Sequence, residues 1–478
     1  MTTTAPSKDT ISAIATATGE GGVGIIRLSG PEAFVILDEM FQPQHKQTSW
    51  RSHRLVFGHC LDAEGEMMDE VLAVRMRSGH SYTGEAVVEI HAHGGQLNLL
   101  HLLRRTQELG ARMAGPGEFT QRAFLNGRID LTQAEAIASL ISARSEQALK
   151  VARSHLKGRL HDKVQTLASR SLMLAAQVES WIDFPEEFDP ALDAAVARIL
   201  EDLDVFIADV TELEGSYQTG QQLLDGFSVL LVGRPNAGKS SLFNLLSRQD
   251  RAIVTDLPGT TRDLLETQMA LGGVRLSLSD SAGLRELEST QVESGSDETL
   301  QRLQTHDAIE KAGIDRALQA AERSHLLLAV LDRSVPWGPE DEKVAQVCQE
   351  RPTVLLLNKS DLPSCLTQEH LDAFSPLVTL EVSCETDEGI NELEVWLQEY
   401  LEGLAPASDV VLTNERQYQA LKEALVFLEK SRTTGLALGP EFMAEDLRSA
   451  RESLSQITGR VTSEDVLGTI FSSFCIGK

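Results

Sequence analysis

Residues 227–246 read FSVLLVGRPNAGKSSLFNLL: a short apolar run, a glycine-bounded loop, then apolar residues at helical spacing. A continuous apolar run ending in glycine suits a strand buried on both faces of a parallel sheet. The GxxxxGKS from Gly233 to Ser240 then has the form of a phosphate cradle. Its glycines let backbone N–H groups converge on phosphate oxygens, the start of a helix adds its dipole, and Lys239 supplies a point charge. Asn236, Ala237, Gly238 and Ser241 complete the loop, and Ser240 is the expected magnesium ligand. An accidental loop match is the weaker reading, because strand, loop and helix agree.

Similar apolar runs recur at 275–280 (RLSLSD), 325–332 (HLLLAVLD) and 353–359 (TVLLLNK), separated by segments long enough for crossover helices. The expectation is a doubly wound α/β domain over 223–403. Its strand ends carry further nucleotide signals. Asp280, Ser281, Ala282 and Gly283 form a DxxG of the kind that senses a γ-phosphate and magnesium. Asn358, Lys359, Ser360 and Asp361 form NKxD, whose carboxylate can accept two hydrogen bonds from guanine's N1–H and exocyclic amine. Adenine offers neither donor. Ser383 and Cys384 follow a strand where a backbone contact to the guanine carbonyl would lie. Between the first two motifs, Thr255, Asp256, Leu257, Pro258, Gly259, Thr260 and Thr261 make a polar loop that could order around a γ-phosphate, with Thr261 the second expected magnesium ligand. Leu284 stands where Ras-type enzymes place a water-orienting glutamine, so catalytic help must come from elsewhere.

The bulk numbers bound the rest. A chain of 478 residues implies two to three domains. With 42% hydrophobic and 24% charged residues, composition is that of a globular protein, and no apolar run approaches the ~20 residues of a membrane span. The opening MTTTAPSKDT has neither transit- nor signal-peptide character, so a cytoplasmic address is expected. Five cysteines without CxxC spacing argue against a disulfide framework and a thiolate zinc site. The formal charge of −28 repels nucleic-acid phosphates, so any RNA contact should be local or supplied by a partner.

Around the α/β segment, the texture changes twice. Short strands over residues 10–28 and in LVFGHCLD and EVLAVRMRSG suggest an α+β start. From Asp130 the spacing predicts one long helical segment ending near Pro185, then a second helix opening at Asp189 and Pro190. After 403, helical periodicity returns in RQYQALKEALVFLEK, FMAEDLRSARESLSQI and TSEDVLGTIFSSF, the last with a capping box at Thr462 and Asp465. These helices are expected to pack on those before 220, making the α/β unit an insertion. His91 and His93 resemble a metal pair without a completing ligand and are read as packing or pocket residues. Cys475 is read as a small hydrophobe on an apolar helix, and the acidic run Glu286–Glu298 as a solvated loop.

GRPNAGKS, TDLPGTTRD, DSAGLR and NKSD, together with GGVGIIRLSG, SYTGEAVVEIHAHGG, GPGEFTQRAFLNGRIDLTQAEAIASLI, IDFPEE and the terminal FCIGK, resemble the MnmE (TrmE) family of tRNA modification GTPases over essentially the whole chain. The resemblance implies a multidomain α/β and α fold. Residues 1–126 would be an α+β domain that binds tetrahydrofolate and dimerises. Residues 127–222 and 404–478 would form a discontinuous helical domain, and 223–403 an inserted Ras-like doubly wound P-loop G domain. Arg27, Glu89, Arg128 and Lys478 fall where the family contacts a tetrahydrofolate derivative, 5-formyl- or methylene-tetrahydrofolate, with Arg128 at a place where lysine can also occur. A potassium ion, standing in for an arginine finger when two G domains meet, would be held by the Asn236 side chain and the carbonyls of Thr255, Leu257 and Thr260. Glu310, in IEKAGIDRA, matches the family's water-orienting carboxylate, although a longer acidic stretch between Arg285 and Glu310 departs from the familiar pattern.

The implied function is a potassium-dependent GTPase, homodimeric and joined in a heterotetramer with an FAD-binding MnmG-type protein. It would add a carboxymethylaminomethyl-type group to C5 of the wobble uridine of certain tRNAs, coupling hydrolysis of GTP to GDP to G-domain dimerisation. A regulatory GTPase of ribosome assembly is the alternative, but it would normally bring a basic RNA-binding module. A folate-dependent aminomethyltransferase fits only the N-terminal segment.

Overall fold

The computed structural model describes residues 9–45, 50–143, 145–183, 193–248, 266–271, 274–280, 319–349, 351–403, 410–460, 464–472 and 474–478. The chain forms two units. One joins Met1–Ser142, Ala152–Glu214 and Glu415–Lys478, and the other joins Ala143–Val151 with Gly215–Asn414.

In the first unit, β1 (Ile11–Ile14), β2 (Gly21–Ser29), β3 (Phe41–Pro43), β4 (Leu55–Leu61), β5 (Met67–Met76), β6 (Val87–Gly94) and β7 (Arg112–Met113) form one sheet, ordered β3-β4-β5-β6-β2-β1-β7. Pairings are antiparallel except β1 with β7. Side chains alternate between faces, so Ile26, Leu28, Ala73 and Ile90 all point one way. There they bury against Ile36, Leu37 and Met40 of α1 (Ala33–Met40) and Leu99, Leu102 and Leu103 of α2 (Gln96–Glu108). On the opposite face, Phe57, Leu72, His91 and Ile25 share one register row across β4, β5, β6 and β2. Phe57 and Leu72 are 40% and 38% exposed there. A short helix, α3 (Glu118–Leu125), follows the sheet.

The segment from Asp130 is broken where one long helix was expected. It becomes α4 (Leu131–Ser142), α5 (Glu146–Leu156) and α6 (Arg159–Asp183). Gly158 causes the second break: at φ 83° it takes the left-handed conformation that ends helices, and its N–H reaches His155 O at 2.8 Å. Next comes α7 (Asp193–Asp225); the expected start at Asp189 and Pro190 lies outside the described residues.

In the second unit, β8 (Phe227–Val232), β9 (Glu266–Leu271), β10 (Val274–Asp280), β11 (Leu326–Asp332), β12 (Thr353–Asn358) and β13 (Val378–Val382) form a sheet ordered β13-β12-β11-β8-β10-β9. All pairs are parallel except β9 with β10. Every residue of β11 and β12 is buried, which is why their sequences are unbroken apolar runs. Helices α8 (Lys239–Arg248), α9 (Pro339–Cys348), α10 (Gln368–Asp372) and α11 (Ile390–Gly403) belong to this unit. Successive strands go to opposite sides of β8, which puts the switch point, and hence the natural ligand crevice, at the carboxyl ends of β8 and β11.

The chain then returns to the first unit through α12 (Glu415–Leu438), α13 (Pro440–Ile457) and α14 (Glu464–Ser472); Thr462 of the expected capping box lies outside the described residues. Met443, Leu447, Ala450, Leu454 and Ile457 recur at helical spacing and are buried, each large one contributing roughly 1.5–3 kcal/mol by leaving water. Ser171 of α6 donates to Leu447 O at 2.8 Å. Buried Glu135 accepts from Arg416 Nε at 2.8 Å and from Gln417 at 2.7 Å, while Arg416 also donates to the terminal carbonyls Gln456 and Ile457 of α13. Helices before and after the α/β unit are thus clamped together. Among the described residues, no helix is long and apolar enough to cross a membrane.

Candidate functional site

The loop after β8 is built around two glycines that no other residue could replace. Gly233 has φ 157°, and a Cβ there would lie 2.4 Å from Val330 O. Gly238 has φ 101°, and a Cβ would lie 2.0 Å from Asn358 Nδ2. The backbone therefore passes close to β11 and to the NKSD segment before entering α8 at Lys239. Asn236 adopts φ 62°, a left-handed conformation that asparagine tolerates better than most residues. Lys239, 5% exposed, lies along the loop and donates to Gly233 O and Arg234 O, both at 2.9 Å.

Asn358 ends β12 and joins the two halves of the site. Its Nδ2 donates to Ala237 O at 2.7 Å, and its Oδ1 accepts from the Cys384 N–H at 3.3 Å. Ser383 donates to Asp361 Oδ1 at 2.7 Å, and Ser360 N–H donates to Val382 O at 3.0 Å, so Asp361 is aimed by the turn after β13. Burial pushes the Cys384 thiol up to about 11, so it stays protonated and contributes its backbone N–H, not a charge. A cavity of about 710 Å³ is lined by residues of all three segments: Asn236, Gly238, Lys239, Ser240 and Ser241, then Asn358, Lys359 and Asp361, then Ser383 and Cys384. Pro235 and Glu385, absent from the sequence reading, line it as well.

Asp280 ends β10 in register with Leu231, beside the strand that feeds the loop. Ser281, Ala282, Gly283, the loop Thr255–Thr261 and Glu310 lie outside the described residues. Sequence reasoning also missed Asp332, the buried last residue of β11, whose carboxylate contacts Lys359. Burial opposes its ionisation, but hydrogen bonds from Lys359 and Ser334 outweigh that and hold its carboxyl below the usual range. Arg234 pairs with buried Asp341 at 3.3 Å, pinning the loop from its outer side.

A second cluster lies in the first unit. Register places Arg27 opposite Glu89, and Arg27 Nε donates to Glu89 Oε1 at 2.8 Å. Arg27 also donates to Gly477 O at 3.2 Å and lies over the Phe119 ring. The chain end is threaded in: Phe119 N–H donates to Lys478 O at 3.2 Å, and Gly477, at φ 96°, would put a Cβ 2.2 Å from Ile14 O. Arg27, Glu89 and the Lys478 backbone are brought together. Arg128 donates instead to Gly79 O at 3.3 Å, in the turn that leads to Tyr82, whose hydroxyl meets Thr120 at 2.9 Å. His91 approaches Glu89 at 3.5 Å, while exposed His93 contacts Asp69 at 2.6 Å, so the two histidines serve different partners. Cys475 corrects its reading: it lies beyond the end of α14 and is exposed, because the helix stops at Ser472 before the chain turns into this cluster.

A family model described as the MnmE helical domain matches residues 131–475, and one described as the GTP-binding protein TrmE N-terminus matches residues 10–128. The chain is similar to the tRNA modification GTPase MnmE of Symbiobacterium thermophilum, 40% identical over 477 residues, covering 98% of this chain and 100% of the relative. Its similarity to the tRNA modification GTPase MnmE of Syntrophotalea carbinolica is 42% identity over 475 residues, covering 98% of this chain and 99% of the relative. Among solved structures, the G domain of the T. maritima FeoB iron transporter is 22% identical, with 36% of this chain and 98% of that chain covered at a TM-score of 0.24.

Proposed function

Because this chain belongs to the MnmE family of tRNA modification GTPases, we propose that it is the potassium-dependent member of a two-protein enzyme that modifies the wobble uridine of tRNA. It binds GTP and hydrolyses it in tRNA modification. The observation that carries the site assignment is the convergence of the phosphate loop, the NKSD segment and Ser383-Cys384 on one cavity. Gly238 supports a nucleotide there, since only a residue without a Cβ lets the backbone run against Asn358.

In this reading Ser240 and Thr261 hold magnesium, which would neutralise phosphate charge. Asn236 and the carbonyls of Thr255, Leu257 and Thr260 hold potassium, which would supply the positive charge of an arginine finger. Asn236 lining the cavity in its left-handed turn supports its part in that set. Turnover is expected to rise in potassium and fall when sodium replaces it, and Asn236→Ala should abolish the difference. Equal rates for parent and variant in the two salts would remove potassium from the account.

We read residues 1–126 as the folate-binding and dimerising domain, 127–222 with 404–478 as the helical domain, and 223–403 as the G domain. Support for a tetrahydrofolate derivative comes from the Arg27–Glu89 pair, the Phe119 ring and the docked chain end; the folate would provide a one-carbon unit. Gly477→Ala should displace that end, and calorimetry with 5-formyltetrahydrofolate should record at least tenfold weaker binding than the parent. Parent-like binding would detach the terminus from the pocket. The exposed row through Phe57 and Leu72 supports pairing with a second copy through the sheet face. A partner of MnmG type, binding FAD, would complete the heterotetramer that adds a carboxymethylaminomethyl-type group to C5. The relatives are named tRNA modification GTPases, which supports a cytoplasmic address where tRNA is met.

A further inference from the structure

We infer that Asp332 is a positioning residue for guanine recognition, fixing Lys359 as a wall of the base pocket. The inference rests on the reading of Asp361 and Lys359 as the guanine-facing end of the cavity. Asp332 and Asn358 are register partners at the ends of the adjacent parallel strands β11 and β12. Lys359, the next residue, has φ 63°, and its side chain reaches across the strand end to Asp332. Its ammonium meets Asp332 Oδ2 at 2.5 Å, and Asp332 is only 5% exposed. The other oxygen, Oδ1, accepts from Ser334 N–H at 3.0 Å and from Ser334 Oγ at 2.6 Å. Both carboxylate oxygens are thus committed, and neither can rotate away without breaking a bond.

This has a chemical consequence for the cavity. A free lysine ammonium there would be drawn toward any anion, and phosphate is the strongest anion the site receives. Tethered to Asp332, the Lys359 charge is compensated locally, while Lys359 and Asp361 both line the cavity. The two lysines are thereby separated in role. Lys239 follows the phosphate loop, and Lys359 serves the base. Arg333 N–H donates to Asn358 O at 3.1 Å, which locks the strand ends that carry Asp332 and Lys359 in register.

A double-mutant cycle on the full chain separates this role from general support of the fold. Fluorescent GDP and ADP are titrated into the parent, Asp332→Asn, Lys359→Met and the double variant, with dissociation rates followed by stopped flow. Asp332→Asn should weaken GDP binding about tenfold, the scale of one charge-assisted hydrogen bond, through faster dissociation. In the Lys359→Met background the same substitution should change affinity less than twofold. If the two losses multiply, or if Asp332→Asn binds GDP like the parent, the inference is overturned. Should Asp332→Asn not fold, Ser334→Ala loosens the same carboxylate. It should cost two- to threefold in the parent and nothing beside Lys359→Met, and equal losses in both backgrounds overturn the proposal. A parent chain that prefers ADP would refute the guanine reading itself, a result distinct from any of these.

Discussion

Asp361→Asn is expected to weaken GTP binding by about 10²- to 10⁴-fold and to admit xanthosine triphosphate. The carboxylate accepts from both N1–H and the exocyclic amine of guanine, and each charge-assisted bond contributes roughly 1.5–3 kcal/mol, with about 1.4 kcal/mol to each factor of ten. Xanthine carries an oxygen where guanine carries that amine, so a carboxamide nitrogen in place of a carboxylate oxygen restores a donor–acceptor match. Ser383 holds Asp361 Oδ1 at 2.7 Å and can donate equally to an amide oxygen, so the asparagine keeps the orientation of the residue it replaces. Competition titration with GTP and xanthosine triphosphate decides the matter, and an undiminished preference for GTP would take Asp361 out of base reading.

Glu310→Ala should leave GTP affinity within a few-fold of the parent and lower turnover by about 10²-fold or more, the scale for a group that positions or deprotonates water. Leu284 has no polar atom with which to orient water, and Glu310 stands in the IEKAGIDRA segment that resembles the family's catalytic stretch. Single-turnover hydrolysis in potassium separates chemistry from binding. Parent-like hydrolysis would shift attention to the neighbouring acids Glu286, Glu288 and Asp307.

Legibility in the sequence followed burial and chain separation. The strands β8, β11 and β12 are buried on both faces, and such strands announce themselves as unbroken apolar runs. The edge strand β9, with the sequence ETQMAL, gives no such run and was not foreseen. Gly158 shows a different failure: helical periodicity continues on both sides of it, and only its left-handed φ divides α5 from α6. Within the cavity, the residues named from GxxxxGKS and NKxD were readable because their spacing is imposed by backbone geometry around a phosphate and a base. Asp332 was not readable. Its partner Lys359 lies 27 residues away and comes near only because β11 and β12 are neighbours. The clamp of Glu135 on Arg416 spans 281 residues for the same reason, so the expected packing of early on late helices could be stated, but not the side chains that enforce it.

The central claim is that GTP bound at this site drives modification of tRNA. Nucleoside mass spectrometry tests it on tRNA from cells lacking the chain, cells restored with the parent, and cells restored with Asp361→Asn. Wobble uridines without their C5 side chain are expected in the first and third and fully modified uridines in the second; full modification in cells whose only copy is Asp361→Asn, shown in vitro to be left largely empty at the cellular GTP concentration, would contradict it.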